Sequence, residues 1–312
     1  MNQVQLLDLF SGIGGFRLAT ERAANSLNIP FKSVGFSEID KYATQAYKTF
    51  FNTSGEEEIG DIISFCEDTK RIEALPNFNL LTGGFPCQPF SMMGAQKGFN
   101  DDRGGMFFEI LKIIDIKKPD IVLLENVKNI KTHDGGKTIS RICDLLEKHG
   151  YSTVIHDVFN TADFGLPQTR NRVYIFAVHE SIPNMDISKD AILTHYNQIK
   201  GKNTDNYDSV LDILEKDAHE KYYLSKKIKP TILANGSGNF VSKSEINQMI
   251  ARPLTATMVK MHRACQDNYY SDTFIKSDGD KNDSHLHLDT LAKRRIRKIT
   301  PKEAFMLQGF PR

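Results

Sequence analysis

Four cysteines in 312 residues (Cys66, Cys87, Cys143 and Cys265) are widely scattered, with no CxxC pair and no Cys/His metal spacing. No metal site is expected, and the thiols fit a reducing cytoplasm. Net charge is also scarce: at +1, the chain carries no global nucleic-acid footprint, so any such binding needs local positive charge. No apolar run reaches the ~18 residues of a transmembrane helix. The first residues lead directly into an apolar strand, without the basic region and cleavage site of a signal peptide. No internal repeat is present. What remains is ordinary soluble protein, 40% hydrophobic and 25% charged, long enough for one large domain or two of common size.

One stretch departs from the ordinary. In Gly84-Phe85-Pro86-Cys87-Gln88-Pro89-Phe90-Ser91 a thiol stands between two prolines, each fixing φ and removing a backbone donor. The preceding Asn79–Thr82 reads as a short buried strand. Cys87 is therefore presented on a stiff turn at the carboxyl end of a strand, where open α/β sheets place their ligands. A lone cysteine is most often core filler. Pro, Gln and Ser are poor core neighbours, and they favour a nucleophile here.

Strands and helices alternate around this point. Val4–Phe10 is a strand closed by Ser11-Gly12-Ile13-Gly14-Gly15, followed by helical periodicity from Phe16 to Leu27. Strand, glycine turn, helix is a nucleotide-binding opening. Arg17 occupies the third glycine position of the dinucleotide fingerprint, which disfavours a nicotinamide dehydrogenase. Ser33–Glu38 reads as a second strand and Tyr42–Phe50 as its helix. Glu38 stands where a ribose diol is gripped, or where a helix is capped. Asp61 follows an acidic loop. Met92–Gly105 is either a lid or a surface connection. Gly105–Ile116 is a helix, and Ile121–Leu124 a buried strand delivering Glu125 to the edge that carries Cys87. A carboxylate after four apolar residues is costly unless paired, so a raised pKa is expected. Thr138–His149 is a further helix with Cys143 inward. Tyr151–Val158 and Arg172–Val178 read as neighbouring strands. Between them, Arg170 and Arg172 form a cationic pair or ordinary surface ion pairs.

Beyond Glu180 the pattern becomes irregular. Ser181–Lys202 lacks periodicity, Ser209–Leu214 is a short helix, and Arg252–Val259 is the clearest extended segment. Ala292–Lys298 (AKRRIRK) supplies local positive charge or a solvated face. Thr300-Pro301-Lys302-Glu303 starts a helix with a capping box. The expected architecture is α/β, with a mostly parallel sheet over residues 1–180 and a smaller irregular domain over 181–312.

These pieces together resemble the DNA (cytosine-5) methyltransferases, in the family's order and over nearly the whole chain. Gly84–Ser91 is similar to the catalytic loop, with Cys87 as nucleophile. Asp8–Phe16 resembles the S-adenosylmethionine loop of a Rossmann-like methyltransferase fold. Glu125-Asn126-Val127 resembles the catalytic Glu motif, Gln168–Arg172 the Q-x-R-x-R motif, and Arg297–Pro311 the late motif supporting target recognition. The resemblance implies cofactor contacts from Asp8, Phe10, Ser11, Gly12, Ile13, Gly14, Gly15, Glu38, Ile39, Asp61, Ile62 and Pro86. It implies Cys87, Glu125, Arg170 and Arg172 as catalytic groups. Gln88, Ser91, Arg103, Thr255 and Thr257 are the implied contacts to DNA, with the irregular domain reading bases.

The implied reaction is methylation of carbon 5 of a cytosine flipped out of double-stranded DNA, through a covalent Cys87 adduct. The implied setting is a bacterial restriction-modification system, with the enzyme cytoplasmic and monomeric. Two alternatives share the motifs: a tRNA cytosine-5 methyltransferase, and a DNA- or cofactor-binding subunit needing a partner. The second draws on a departure, since the family continues past Pro311 with a segment returning to the cofactor pocket. A second chain carrying that segment is the partner this alternative expects.

Overall fold

The computed structural model describes residues 2–86, 105–183, 187–200, 207–235, 242–255, 257–279 and 288–311. Cys87, Gln88, Ser91 and Arg103 lie outside them. By backbone contact the chain divides into two units, residues 1–159 with 171–195, and residues 160–170 with 196–312. The division is not a single cut at 180. The segment carrying Gln168 and Arg170 groups with the second unit.

In the first unit, seven strands among the described residues form one sheet: β1 (Val4–Leu9), β2 (Phe31–Phe36), β3 (Glu57–Glu58), β4 (Leu80–Gly84), β5 (Ile121–Val127), β6 (Tyr151–Asn160) and β7 (Asn171–His179). Their order is β3-β2-β1-β4-β5-β7-β6. The first five run parallel, and β7 is antiparallel to β5. Continuous apolar runs explain the parallel core, because such strands are buried on both faces. Leu6, Leu7, Leu9, Leu81, Val122 and Leu124 have no exposed surface.

Helices fall between the strands. Those that position the site are α1 (Gly15–Ser26), α2 (Lys41–Phe50) and the short α3 (Ile62–Cys66). After α4 (Thr69–Ala74), α5 (Met106–Lys117) buries Phe107, Ile110, Ile113 and Ile114, as its periodicity requires. It stops at Lys118, whose φ of 46° is left-handed. α6 (Lys137–Lys148) turns Ile139, Ile142 and Leu146 into the same core, while Cys143 is only partly buried. α7 (Lys189–Ile199) was not legible from periodicity, and the reason is physical: it has no fully buried residue, so no apolar stripe was needed.

The second unit is built differently. Two apolar clusters, around Tyr270 and Phe274 and around Tyr269 and Ile296, are joined mainly by turns and 3₁₀ segments. A two-stranded antiparallel ribbon pairs β8 (Tyr269–Ser271) with β9 (Ile296–Lys298). Its helices are α8 (Lys229–Leu233), α9 (Asp272–Lys276), α10 (Leu288–Lys293) and α11 (Pro301–Leu307). Thr300 and Glu303 form the expected capping box on α11.

Two expectations for this unit are corrected. The described residues of Arg252–Val259 form no strand. Ala251 makes one isolated bridge to Gln168, Asn268 Oδ1 accepts the Arg252 N–H at 2.8 Å, Pro253 has no N–H to donate, and Met258–Lys260 is 3₁₀. The positive stretch Ala292–Lys298 is not a uniform surface either. Arg297 is fully buried, with both terminal nitrogens on the Glu303 carboxylate at 2.7 and 2.9 Å. A guanidinium fork fits a carboxylate in this bidentate way. Glu303 also accepts the Glu215 N–H at 2.7 Å, so one carboxylate holds strand, helix and loop together.

Candidate active site

The glycine turn is shaped by its backbone. Phe10, Gly12 and Gly14 have φ of 53°, 55° and 91°. At Gly14 a Cβ would lie 2.3 Å from Phe51 Cε2, so glycine is required by contact as well as by conformation. Gly12 and Gly15 are opposite in character, since a Cβ at either would meet nothing within 4 Å. α1 begins there without a side-chain cap, leaving its first N–H groups to an outside partner.

Glu38 faces this turn from the end of β2. Its Oε2 accepts the Gly12 N–H at 2.8 Å, and its Oε1 accepts those of Ile39 and Asp40 at 2.8 Å. Asp40, not Glu38, caps α2. Beside them Ile39 is 76% exposed, an apolar face with no covering group. Asp61 caps α3, stays exposed, and is held below the usual carboxylate range by the Ser64 hydroxyl. The Ile62 side chain belongs to the core, so only its backbone could meet a ligand.

Asp8 corrects its expected role. It is wholly buried beneath the turn, accepting from the Thr82 hydroxyl at 2.7 Å. Burial pushes its carboxyl up to about 7, with Thr82 and Arg17 acting against the rise. It supports the turn rather than lining an open space. Arg17, noted above only for breaking a fingerprint, proves to be a clamp: its guanidinium pairs with Glu56 at 2.6 Å, donates to the Asn52 carbonyl at 3.1 Å and stacks on Phe51. This joins α1 to the loop leading towards Asp61. A buried arginine in a first helical turn has no periodic signature, and nothing in the sequence marked it.

The edge that carries the expected catalytic carboxylate lies between β4 and β5. Gly84 pairs in register with Glu125, and a Cβ on Gly84 would stand 3.3 Å from Glu125 Oε2. Arg172 Nε lies 2.8 Å from Glu125 Oε1. The carboxylate is thus paired and 19% exposed. Asn126 donates from Nδ2 to the Phe85 carbonyl at 2.8 Å, anchoring the chain two residues before Cys87. Pro86, the last described residue there, is exposed.

Arg170 and Arg172 are not a matched pair on one strand. β7 starts at Asn171, and the two residues fall in different units. In the second unit, Gln168 is buried, with its Nε2 donating to the Leu307 carbonyl at 3.2 Å. The Arg170 N–H donates to Asn160 Oδ1 at 3.0 Å. Thr255 and Thr257 are exposed, and Thr257 Oγ1 is hydrogen-bonded to His262 Nε2 at 2.9 Å.

These features can be tested against S-adenosylmethionine. Open space above Gly12 and Gly15, a buried Ser11 hydroxyl with no partner, an uncapped helix start, a carboxylate at Glu38 and an apolar face at Ile39 fit its charged tail, ribose and adenine. Among the described residues no group of three His, Cys, Asp or Glu could hold a metal, and no helix is long and apolar enough to cross a membrane.

Comparison with known proteins agrees with this arrangement. Residues 4–312 match the family described as C-5 cytosine-specific DNA methylase. Type II methyltransferase M1.ScrFI of Lactococcus lactis subsp. cremoris is 37% identical, with 98% of this chain and 69% of the relative aligned. M.NlaX of Neisseria lactamica is 37% identical over 98% and 85%, and M.HaeII of Haemophilus aegyptius 34% over 100% and 83%. The fold is shared with S. pombe Dnmt2 methyltransferase, at a TM-score of 0.69 and 21% identity, covering 99% of this chain and 87% of that one. A mostly parallel sheet with β7 antiparallel to β5, a glycine turn at the first strand and a Glu-Arg pair at the fifth thus sit in a known lineage. The chain belongs to the C-5 cytosine-specific DNA methylase family, whose reaction is methyl transfer to carbon 5 of cytosine in DNA.

Proposed function

We propose that the first unit binds S-adenosylmethionine at the glycine turn and methylates a cytosine held out of duplex DNA. Cys87 is the nucleophile, and Glu125 and Arg172 hold the ring. The observation that carries this reading is the Glu125–Arg172 pair beside Phe85-Pro86, with Gly84 and Glu125 in register on adjacent parallel strands. It supports a carboxylate and a guanidinium acting together close in sequence and register to the proposed nucleophile.

Cytosine's carbon 5 is a poor nucleophile, and the residues of this chain correct that. The Cys87 thiolate forms a bond to carbon 6, and the displaced electron pair makes carbon 5 nucleophilic. Glu125 holds ring nitrogen 3 and the exocyclic amine, while Arg172 donates to the ring carbonyl, so charge developing on the ring meets fixed partners. Asn126 holds the Phe85 carbonyl, two residues before the thiol in sequence. S-adenosylmethionine supplies a sulfonium-bound methyl group with a neutral thioether as leaving group. Loss of the carbon 5 proton to water then re-forms the ring double bond and expels the Cys87 thiolate. Gly12, Gly15, Ser11, Glu38, Ile39 and the Ile62 backbone would hold the cofactor. The base must leave the stack for this chemistry, as in other enzymes that act on a base.

The second unit is proposed to read the neighbouring bases, with exposed Thr255 and Thr257 on its binding face. The curated relatives are named Type II methyltransferases, which supports a role in a restriction-modification system. The deciding experiment incubates the protein and S-adenosylmethionine with duplex DNA containing 5-fluorocytosine, and in parallel with tRNA containing the same base. Fluorine cannot leave as a cation, so the expected result is a covalent DNA–protein adduct seen by mass spectrometry and absent from Cys87→Ser. An adduct formed only with tRNA would replace DNA as substrate, and trapping by Cys87→Ser would remove Cys87 from its role.

A further inference from the structure

Among the described residues of the second unit, two exposed side chains stand on left-handed backbone, Asp278 and Met261, and of these only Met261 is apolar. Met261 has φ 54° and ψ 72°, a left-handed conformation that a non-glycine residue rarely adopts. Its side chain is nevertheless 38% exposed, one of eight large apolar side chains left open to solvent among the described residues. Strain of this kind persists only where the surroundings enforce it, and the surroundings here are specific.

Each neighbour of Met261 is tied down. The His262 N–H donates to Asp267 Oδ2 at 3.0 Å, and the His262 carbonyl accepts from the Tyr269 hydroxyl at 2.6 Å. Asp267 and Tyr269 are both buried, so the anchors belong to the core of the unit. On the other side, the Lys260 N–H donates to the Thr257 carbonyl at 2.9 Å and the Met261 N–H to the Met258 carbonyl at 3.1 Å. His262 Nε2 closes the loop on Thr257 Oγ1. The result is a braced turn that drives an apolar side chain outwards beside Lys260, which is exposed.

Folding alone gives no reason for this arrangement. Methionine gains nothing from exposure, and glycine or asparagine would relieve the backbone. The combination suits DNA: an apolar tip makes contact with base edges or a thymine methyl group, and a lysine beside it meets a phosphate. We infer that Met261 is a sequence-reading residue of the target-recognition surface, and that Lys260 fixes its register by a phosphate contact. This rests on the reading of the second unit as the part that reads DNA, and it adds the residue that reads and the one that positions.

The test uses the full chain and a pool of DNA duplexes randomised around a cytosine. The pool is methylated with S-adenosylmethionine, and the modified sites are read by bisulfite sequencing. The informative variant is Met261→Gly, because it removes the side chain and relieves the backbone together. Its melting temperature is expected to equal or exceed that of the wild type. Its methylation profile is expected to lose discrimination at one base-pair position by roughly 10-fold or more. Lys260→Gln is expected to keep the profile, weaken binding to every duplex alike, and make the log–log salt dependence of affinity shallower by about 1. A Met261→Gly protein that is stable and shows the wild-type profile overturns the inference while leaving the second unit's role intact. A wild-type protein that methylates no duplex in the pool overturns both.

Discussion

Glu125 and Arg172 stand on neighbouring antiparallel strands with Oε1 and Nε 2.8 Å apart, each about a fifth exposed. Partial exposure makes the pair a weak contributor to stability, since solvent screens it. Under the proposed function its value is positional, each group holding the other where a flipped base would be gripped. Glu125→Gln is therefore expected to lower single-turnover methyl transfer by ~100-fold or more, the usual scale for a general acid or its equivalent. Arg172→Lys, which keeps charge but loses the fork, should lower it by at least ~10-fold. Neither should change the melting temperature by more than a few degrees. A fully active Arg172→Lys protein would show that the guanidinium geometry is not used.

Asn126 offers a separate test of the thiol turn. Its buried amide holds the Phe85 carbonyl, and its own carbonyl accepts the Val127 N–H at 2.9 Å. Asn126→Ala removes the buried hydrogen bond to the Phe85 carbonyl, at a cost of ~0.5–1.5 kcal/mol. The more telling readout is the rate of covalent trapping by 5-fluorocytosine DNA, which should fall while S-adenosylmethionine affinity by calorimetry stays the same. Equal losses in both would mean a general loosening of the fold.

Asp8 gives the first unit a pH-dependent stability. Its carboxyl is raised from 3.8 to about 7, mainly by burial, so the folded form binds a proton more tightly than the unfolded chain. The stability this proton contributes is complete below about pH 4 and is lost as pH rises towards and through about 7. Asp8→Asn removes the titration. Relative to wild type, the variant should become progressively more stable from pH 5 to pH 8, as read from urea midpoints. A stability difference independent of pH would contradict the assignment.

In the second unit, the Arg297–Glu303 pair predicts a large effect from a single change. Both side chains have no exposure, so removing one leaves the other charged and buried. Glu303→Gln should cost ~3–5 kcal/mol of unfolding free energy. Replacing both residues, as Arg297→Met with Glu303→Leu, should cost less than the single change. Additive losses would show that the two groups are not coupled.

Much of the fold was legible because alternation is written in short-range patterns. Continuous apolar runs marked β1, β4 and β5, and 3.6-residue periodicity marked α1, α5 and α6. Thr300-Pro301 with Glu303 marked the start of α11. Where packing demanded no stripe, as in α7, or where extended residues found side-chain partners in place of a sheet, as at Arg252–Val259, pattern reading failed. The order of motifs also identified the family, because most of them sit at the edge of a strand that local sequence already defines: the glycine turn after β1, Glu38 after β2, Gly84–Phe85 at the end of β4 and Glu125 in β5.

Sequence by itself determined which residue types reach the carboxyl edge of the sheet: a glycine turn, the Glu38 and Glu125 carboxylates, and the chain leading to Cys87. It could do so because a strand's end and its turn are consecutive in the chain. Only the tertiary structure decided what each group meets there. Asp8 became a buried support, Glu125 found Arg172, Arg17 clamped a distant loop, and Arg297 turned from surface charge into core. Asp8, Arg17 and Glu125 depend on partners tens of residues away, and Arg297 on Glu303 six residues on and on the distant Glu215 carbonyl; a charge has no fixed role until its partner and its exposure are known.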